Sequence, residues 1–354
     1  MRNYREPTVL PDAASASASP LGRLTIADVA ALAGVSVPTV SKVLNGRQGV
    51  SNETRARILT LLDEHNYRRR GTERRQRVGL VDFVIRDLTS LWANELVQGA
   101  EQEASRAGVG LVVTSTHGRR IGNRHWIQQL SSRRTDGIVL VISELQEGAE
   151  DQLRRLNTPL VLVDPVGSAE PNHPTVAATN WAGGLSAAEH LIGLGHRRIG
   201  IVTGPAQVAC ARDRLDGYRA ALRRASLEVT DDLVRHGDFD VTGGYRGATS
   251  LLALPDPPTA IFAASDQQAY GVYQAARERG LNIPTDLSVV GFDDVELCQW
   301  VSPPLTTVRQ PLTEMAREAT RMVLELSRNI DLPAPRIELA THLVIRASTG
   351  PPSR

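Results

Sequence analysis

Carboxylates recur where apolar runs end. Asp82, with Phe83, lies in the run that starts at Val78. Asp164 closes Pro159-Leu-Val-Leu-Val, Asp266 stands behind Ser265 after Ala260-Ile-Phe-Ala-Ala, and Asp293 follows Phe292. An ionised carboxylate accepts two donors, so several of them facing one cleft suit the paired hydroxyls of a sugar. Aromatic residues beside them, Phe83 and Phe292, offer flat apolar faces for a pyranose ring, and Trp92, in the first loop-to-helix segment, is placed to line the pocket. An Asp behind a strand also serves as a helix N-cap, and Asp266 reads that way.

A second chemistry sits near the N-terminus, in Thr25-Ile-Ala-Asp-Val-Ala-Ala-Leu-Ala-Gly-Val-Ser-Val-Pro-Thr-Val-Ser-Lys-Val-Leu-Asn-Gly46. Thr25 with Asp28 forms a capping-box pair, and Ile26, Val29, Ala30 and Ala33 share one helical face. Gly34 ends that helix; Ser36 caps the next and Pro38 falls in its first turn. Val40, Val43 and Leu44 face inward, which leaves Val37, Pro38, Ser41 and Lys42 outward. This is a helix-turn-helix with a short recognition helix. Val37, Pro38 and Lys42 are placed for base edges, with Lys42 the reader of guanine O6 and N7, and Ser36, Thr39, Ser41 and Asn45 for phosphates. A third helix, 52–65, closes the small core.

Charge follows the same division. Residues 24–77 hold ten Lys/Arg against five Asp/Glu, whereas the whole chain is only +1, so a basic head joins an acidic body. Arg68 and Arg69 open the basic stretch that ends at Arg77 and are placed for phosphates or a narrow minor groove.

Positioning the carboxylates takes a longer framework. At 354 residues, with 41% hydrophobic and 22% charged residues, the chain has the composition of a globular protein of two or three domains. From Val78 onward apolar strand-like runs alternate with helical patterns, and the alternation restarts after Pro174, giving two doubly wound α/β units. Helices are expected at 94–107, 125–133, 149–156, 183–194, 213–225, 243–252, 266–279 and 311–329. Residues 1–23, with Ala14-Ser-Ala-Ser-Ala-Ser-Pro20 and no apolar signal-peptide core, are expected to be a disordered tail. No apolar run is long enough for a membrane span. The two cysteines, Cys210 and Cys298, lack metal-ligand spacing and read as structural thiols, and the eight histidines do not cluster, so no metal or cofactor is expected. Phosphate-loop, nucleophile-elbow and zinc-protease motifs are missing, which argues against an enzyme.

The block 25–46 resembles the DNA-binding headpiece of the lactose-repressor (LacI/GalR) family, with each fixed position of that family's pattern present, followed by Val50-Ser51, Thr54-Arg55 and Tyr67. Further similar strings are Asn180-x-x-Gly-Gly184, Leu194-Gly-His-x-Arg-Ile199, Arg214-x-x-Gly217-Tyr218, Val290-Gly-Phe-Asp-Asp294 and Pro304-Leu-Thr-Thr-Val308. The resemblance implies an N-terminal three-helix helix-turn-helix headpiece (24–67) and an α/β core (78–354) of periplasmic-binding-protein type. It divides the core into an N-subdomain (78–178 with 309–338) and a C-subdomain (179–308 with 339–350), with crossings near 177–181, 307–311 and 338–341. It makes Arg214, Asp164 and Asp293 effector contacts and Phe239 an aromatic packed on the ligand. Ser265 stands where the family often has Asn, and Lys42 where it often has Arg. The linker 68–77 departs from the family: it lacks the Pro-Asn pair and the leucine of the usual hinge helix.

The reading that follows is a cytoplasmic, effector-responsive repressor of sugar-utilisation genes. It is expected to bind a palindromic double-stranded DNA operator as a homodimer, with no membrane association and no cofactor. A nucleoside- or purine-responsive regulator, the solute-binding protein of a sugar transporter, and an α/β enzyme are the alternatives.

Overall fold

The computed structural model describes residues 25–44, 49–64, 78–117, 130, 132–141, 158–165 and 173–353. Contacts divide the chain into two units, one ending at Gln76 and one beginning at Arg77.

The first unit holds α1 (Ile26–Leu32), α2 (Val37–Leu44) and α3 (Asn52–Glu64). Thr25 and Asp28 cap α1 reciprocally: the Thr25 N–H donates to Asp28 Oδ2 at 2.7 Å and the Asp28 N–H to Thr25 Oγ1 at 3.3 Å. Those bonds hold the Asp28 carboxyl below its usual range. Gly34, at φ +63°, takes the left-handed turn that a side chain would resist. The chain bends by 107° between α1 and α2. Val29, Ala30, Ala33, Val40, Val43 and Ile58 make a small core. Ser51 caps α3 by accepting the Thr54 N–H at 3.2 Å.

The second unit contains two six-stranded sheets. The first has the order β11-β5-β4-β3-β1-β2, from β1 (Leu80–Ile85), β2 (Gly110–Ser115), β3 (Gly137–Val141), β4 (Leu160–Val163), β5 (Thr175–Ala178) and β11 (Arg336–Leu339), all parallel. The second has the order β12-β10-β9-β8-β6-β7, from β6 (Ile199–Thr203), β7 (Val234–His236), β8 (Ala260–Ala263), β9 (Ser288–Asp293), β10 (Thr306–Arg309) and β12 (His342–Val344). Only β12 runs antiparallel there. Strands buried on both faces explain why Leu160–Val163 and Ile199–Thr203 carry no polar alternation.

Helices α4 (Leu91–Arg106) and α9 (Leu312–Ser327) cover one face of the first sheet; α5 (Asn180–Gly193), α6 (Ala209–Arg224), α7 (Val241–Leu251) and α8 (Asp266–Glu278) flank the second. The expected helices at 125–133 and 149–156 fall largely outside the described residues. The chain passes between lobes after β5, after β10 and after β11. Two of these passages are pinned together: the Thr341 N–H donates to Thr179 Oγ1 at 2.9 Å and the Thr341 hydroxyl to Thr179 O at 3.2 Å. Three strands that flank passages, β5, β10 and β11, lack the strong apolar runs that announce the others in the sequence.

Candidate effector cleft and DNA-reading helix

On α2 the buried residues are Val40 and Val43, while Val37, Pro38 and Lys42 are exposed and Ser41 is half-buried. The Ser36 and Thr39 hydroxyls lie 2.8 Å apart and hydrogen-bond to each other at the helix start. Asn45, Arg68 and Arg69 lie outside the described residues.

In the core, a cavity of about 300 Å³ opens at the carboxyl ends of the strands, between the lobes. Its first wall comes from the loop after β1 and the start of α4, through Arg86, Asp87, Ser90 and Trp92. Its opposite wall comes from the starts of α6, α7 and α8, through Cys210, Arg214, Asp240 and Ser265. Asp164 and Asp293 close two strands at its floor.

Arg214 organises that floor. It is buried one turn into α6, where its Nε donates to Asn180 Oδ1 at 2.9 Å and its Nη1 to the Ala264 carbonyl at 2.5 Å. The guanidinium stands 3.7 Å from the Phe292 ring centroid and 5.6 Å from that of Phe239, both cation–π contacts. Its Nη1 is 3.8 Å from Asp293 Oδ1. The helix holding it lies close to α5: a Cβ at Gly217 would sit 2.1 Å from the Trp181 carbonyl, and one at Gly184 would sit 2.2 Å from the Arg214 carbonyl. Tyr218 then anchors the helix by donating to Ile199 O at 2.7 Å. Arginine, glycine and tyrosine at this spacing thus reach the cleft, permit close helix packing and tie the helix to β6.

The carboxyls are crowded. Burial, then the nearby Asp266 charge, push Asp293 up to about 8 despite Arg214 and Gln310. Burial raises Asp266 to about 7 and raises Asp164 as well. Asp164 at φ +45°, Asp293 at φ +124° and Asp294 at φ +61° hold backbone conformations that cost a side-chain-bearing residue about 1 kcal/mol or more. Asp164 and Asp293 line the cavity from these positions, whereas the Asp294 carboxylate pairs with Arg346 Nη2 at 2.6 Å.

Comparison with known proteins agrees with this geometry. Residues 25–70 match the model of bacterial regulatory proteins of the lacI family, and residues 188–349 that of the periplasmic binding protein-like domain. The chain is 34% identical over 328 residues to the ribose operon repressor of Escherichia coli (strain K12), covering 92% of this chain and 99% of that one. The chain belongs to the LacI family. Among solved structures, the transcriptional regulator CelR–cellobiose complex is similar with TM-score 0.72 and 32% identity, covering 92% of this chain and 100% of that one. The lac repressor dimer bound to operator and the anti-inducer ONPF is similar with TM-score 0.69 and 28% identity, covering 93% and 100%. As a LacI-family member the chain is a DNA-binding transcriptional regulator with an effector-binding core, not an enzyme.

Of the residues picked from sequence, this LacI-family core brings Trp92, Asp164, Arg214, Phe239, Ser265 and Asp293 together around one cavity. Asp82 and Phe83 are not there. Strand β1 continues through Val84 and Ile85, so both lie mid-strand: Asp82 pairs with Arg133 Nη1 at 3.3 Å, and Phe83 is fully buried in the core. The strand end that reaches the cleft is Ile85-Arg86-Asp87.

Trp92 lies in the first turn of α4, which Ser90 caps by accepting the Ala93 N–H at 3.1 Å, so the helix starts three residues before the expected Asn94. Asp266 is not the cap of α8. Ser265 is, accepting the Gln268 N–H at 3.1 Å, while buried Asp266 accepts from Val295 N at 3.0 Å and Thr307 Oγ1 at 2.5 Å. Cys210, read as structural, lines the cleft, where burial raises its thiol to about 12. Sequence reasoning also missed Asn180, which holds Arg214, and Gln310, whose Nε2 donates to Asp293 Oδ1 at 2.6 Å. The Asn180-x-x-Gly-Gly string by itself gives Asn180 no role, and Gln310 carries no signal in the sequence.

Proposed function

We propose that this regulator represses sugar-utilisation genes in the cytoplasm, binds a near-palindromic operator as a homodimer, and changes its operator affinity when a sugar occupies the core cleft. The observation that carries this reading is the cleft floor. Buried Arg214 and the strand-end carboxyls Asp164 and Asp293 converge on one cavity beside Trp92 and Phe239, a set suited to hydroxyls and ring faces. The likeness to a cellobiose-bound regulator and to an operator-bound dimer supports it. The domain layout proposed with it is headpiece 24–67, linker 68–77 and core 78–354. Val37, Pro38 and Lys42 face bases, Ser36, Thr39, Ser41 and Asn45 meet phosphates, and Arg68 and Arg69 meet phosphates or a narrow minor groove. No single helix among the described residues is long and apolar enough to cross a membrane.

A thermal-shift screen of the full chain against monosaccharides, disaccharides and nucleosides tests the reading, repeated with Arg214→Ala. One sugar should raise the melting temperature in the parent and not in the variant, and should change operator binding in a mobility-shift assay. A nucleoside that does so in place of every sugar overturns the sugar assignment.

A further inference from the structure

The charge balance of the cleft bears on which chemical form of a sugar can enter, and it rests on the sugar reading above. Among the described residues lining it are six aspartates, Asp87, Asp164, Asp238, Asp240, Asp266 and Asp293, against Arg86 and Arg214. Arginine recognises a phosphate through a two-nitrogen edge of its guanidinium. Each such edge of Arg214 includes a nitrogen already committed, Nε to Asn180 and Nη1 to Ala264 with Asp293 beside it.

Helix N-termini around the cleft would otherwise draw anions. That of α7 is capped by the carboxylate of Asp240, which accepts the Gly243 N–H at 2.6 Å, and α8 begins with Asp266. Those of α4 and α8 are capped by Ser90 and Ser265, and only α6, after Val208, starts among these four without a side-chain cap. The crowded carboxyls also retain protons, Asp293 near 8 and Asp266 near 7, so the cleft already limits its own negative charge. A dianionic ester would have to bring further protons or cations with it. A neutral polyol meets carboxyl groups that accept and donate as its hydroxyls require.

We infer that the cleft admits an uncharged sugar and rejects the phosphate ester of the same sugar. The regulator then senses the substrate of a phosphoryl-transfer step and does not respond to its product.

Titration calorimetry on the full chain at neutral pH tests this with matched probes: ribose and ribose 5-phosphate, glucose and glucose 6-phosphate, cellobiose, and inorganic phosphate alone. The neutral member of a pair should bind, with its ester at least about tenfold weaker and no heat from inorganic phosphate. Asp238→Asn, which removes one carboxylate from the cleft wall, should narrow that ratio. An ester that binds as tightly as its sugar, or tighter, overturns this inference and leaves the sugar reading standing. Silence from every sugar and every ester overturns the sugar reading, and this inference with it.

Discussion

The Gln310 side-chain amide donates to Asp293 Oδ1 at 2.6 Å, linking the passage between β10 and α9 to the floor of the cleft. The Gln310 N–H also donates to the Asp293 carbonyl at 3.2 Å. One residue between the lobes therefore holds both the backbone and the carboxyl of a cleft-lining aspartate. A typical intramolecular hydrogen bond contributes about 1 kcal/mol, and a buried acceptor left without its donor costs about 1–3 kcal/mol. Gln310→Met keeps the length of the side chain and removes the donor. Effector affinity should fall by about tenfold or more, with the melting temperature of the free protein changed by only a few degrees. Calorimetry on the variant reads the first and a thermal melt the second; unchanged affinity would make the contact purely structural.

Asp293 also predicts how stability varies with pH. Its carboxyl titrates near 8 in the fold but near 3.9 in an unfolded chain. Between those values the folded state keeps a proton that the unfolded state has lost. Stability therefore falls as pH rises through the window from about 4 to about 8. Asp266, raised to about 7, acts with the same sign over a narrower window. Asp293→Asn fixes the neutral form. Parent and variant should melt together near the acid end of the window, and the variant should melt higher near the alkaline end. A parent that gains stability relative to Asp293→Asn as pH rises would reverse the assigned sign.

Close packing between α5 and α6 gives a third test. A methyl at Gly217 would meet the Trp181 carbonyl at 2.1 Å and the Leu185 N–H nitrogen at 2.7 Å, both backbone atoms that cannot yield. Gly217→Ala should cost about 3 kcal/mol, at the upper end of overpacking changes. It should also weaken the effector by moving Arg214, which sits one turn earlier. Chemical denaturation and ligand titration should show both losses together. Loss of stability with ligand affinity intact would separate the packing from the site.

The doubly wound core was legible because buried parallel strands such as Leu160–Val163 and Ile199–Thr203 are unbroken apolar runs. The headpiece was legible because caps, turn glycine and apolar periodicity agree over one short segment. What failed has physical causes. Strands β5, β10 and β11 are four residues each and derive their pairing from neighbours rather than from their own pattern. Asp82 was misplaced because a carboxylate inside a strand looks like a strand end until its partner, Arg133, 51 residues away, is seen. Ser265 rather than Asp266 caps α8, because adjacent residues both suited to capping are separated only by where each side chain finds its bond. Gln310 and Asn180 matter through what they hold, which a linear reading does not display.

The recognition helix gives the last test. On α2, Val40 and Val43 are buried against α1 and α3, so Lys42 is held on the solvent side by the same periodicity that builds the core. An ammonium there contributes nothing to that core, and Lys42→Ala should leave the thermal melt of the headpiece unchanged. A base-reading lysine contributes about 1–3 kcal/mol of discrimination between right and wrong base pairs. A phosphate-contacting lysine weakens all sequences alike and lowers the salt dependence of binding by about one unit. Mobility-shift titrations on operator and on random duplex, each at two or more salt concentrations, tell the two apart. For Lys42→Ala the operator should lose about tenfold or more while random DNA changes little. Because lysine lacks the planar fork of arginine, Lys42→Arg is expected to keep or raise operator affinity where guanine lies opposite. An equal loss on both duplexes, with the salt dependence reduced, would move Lys42 from the bases to the backbone.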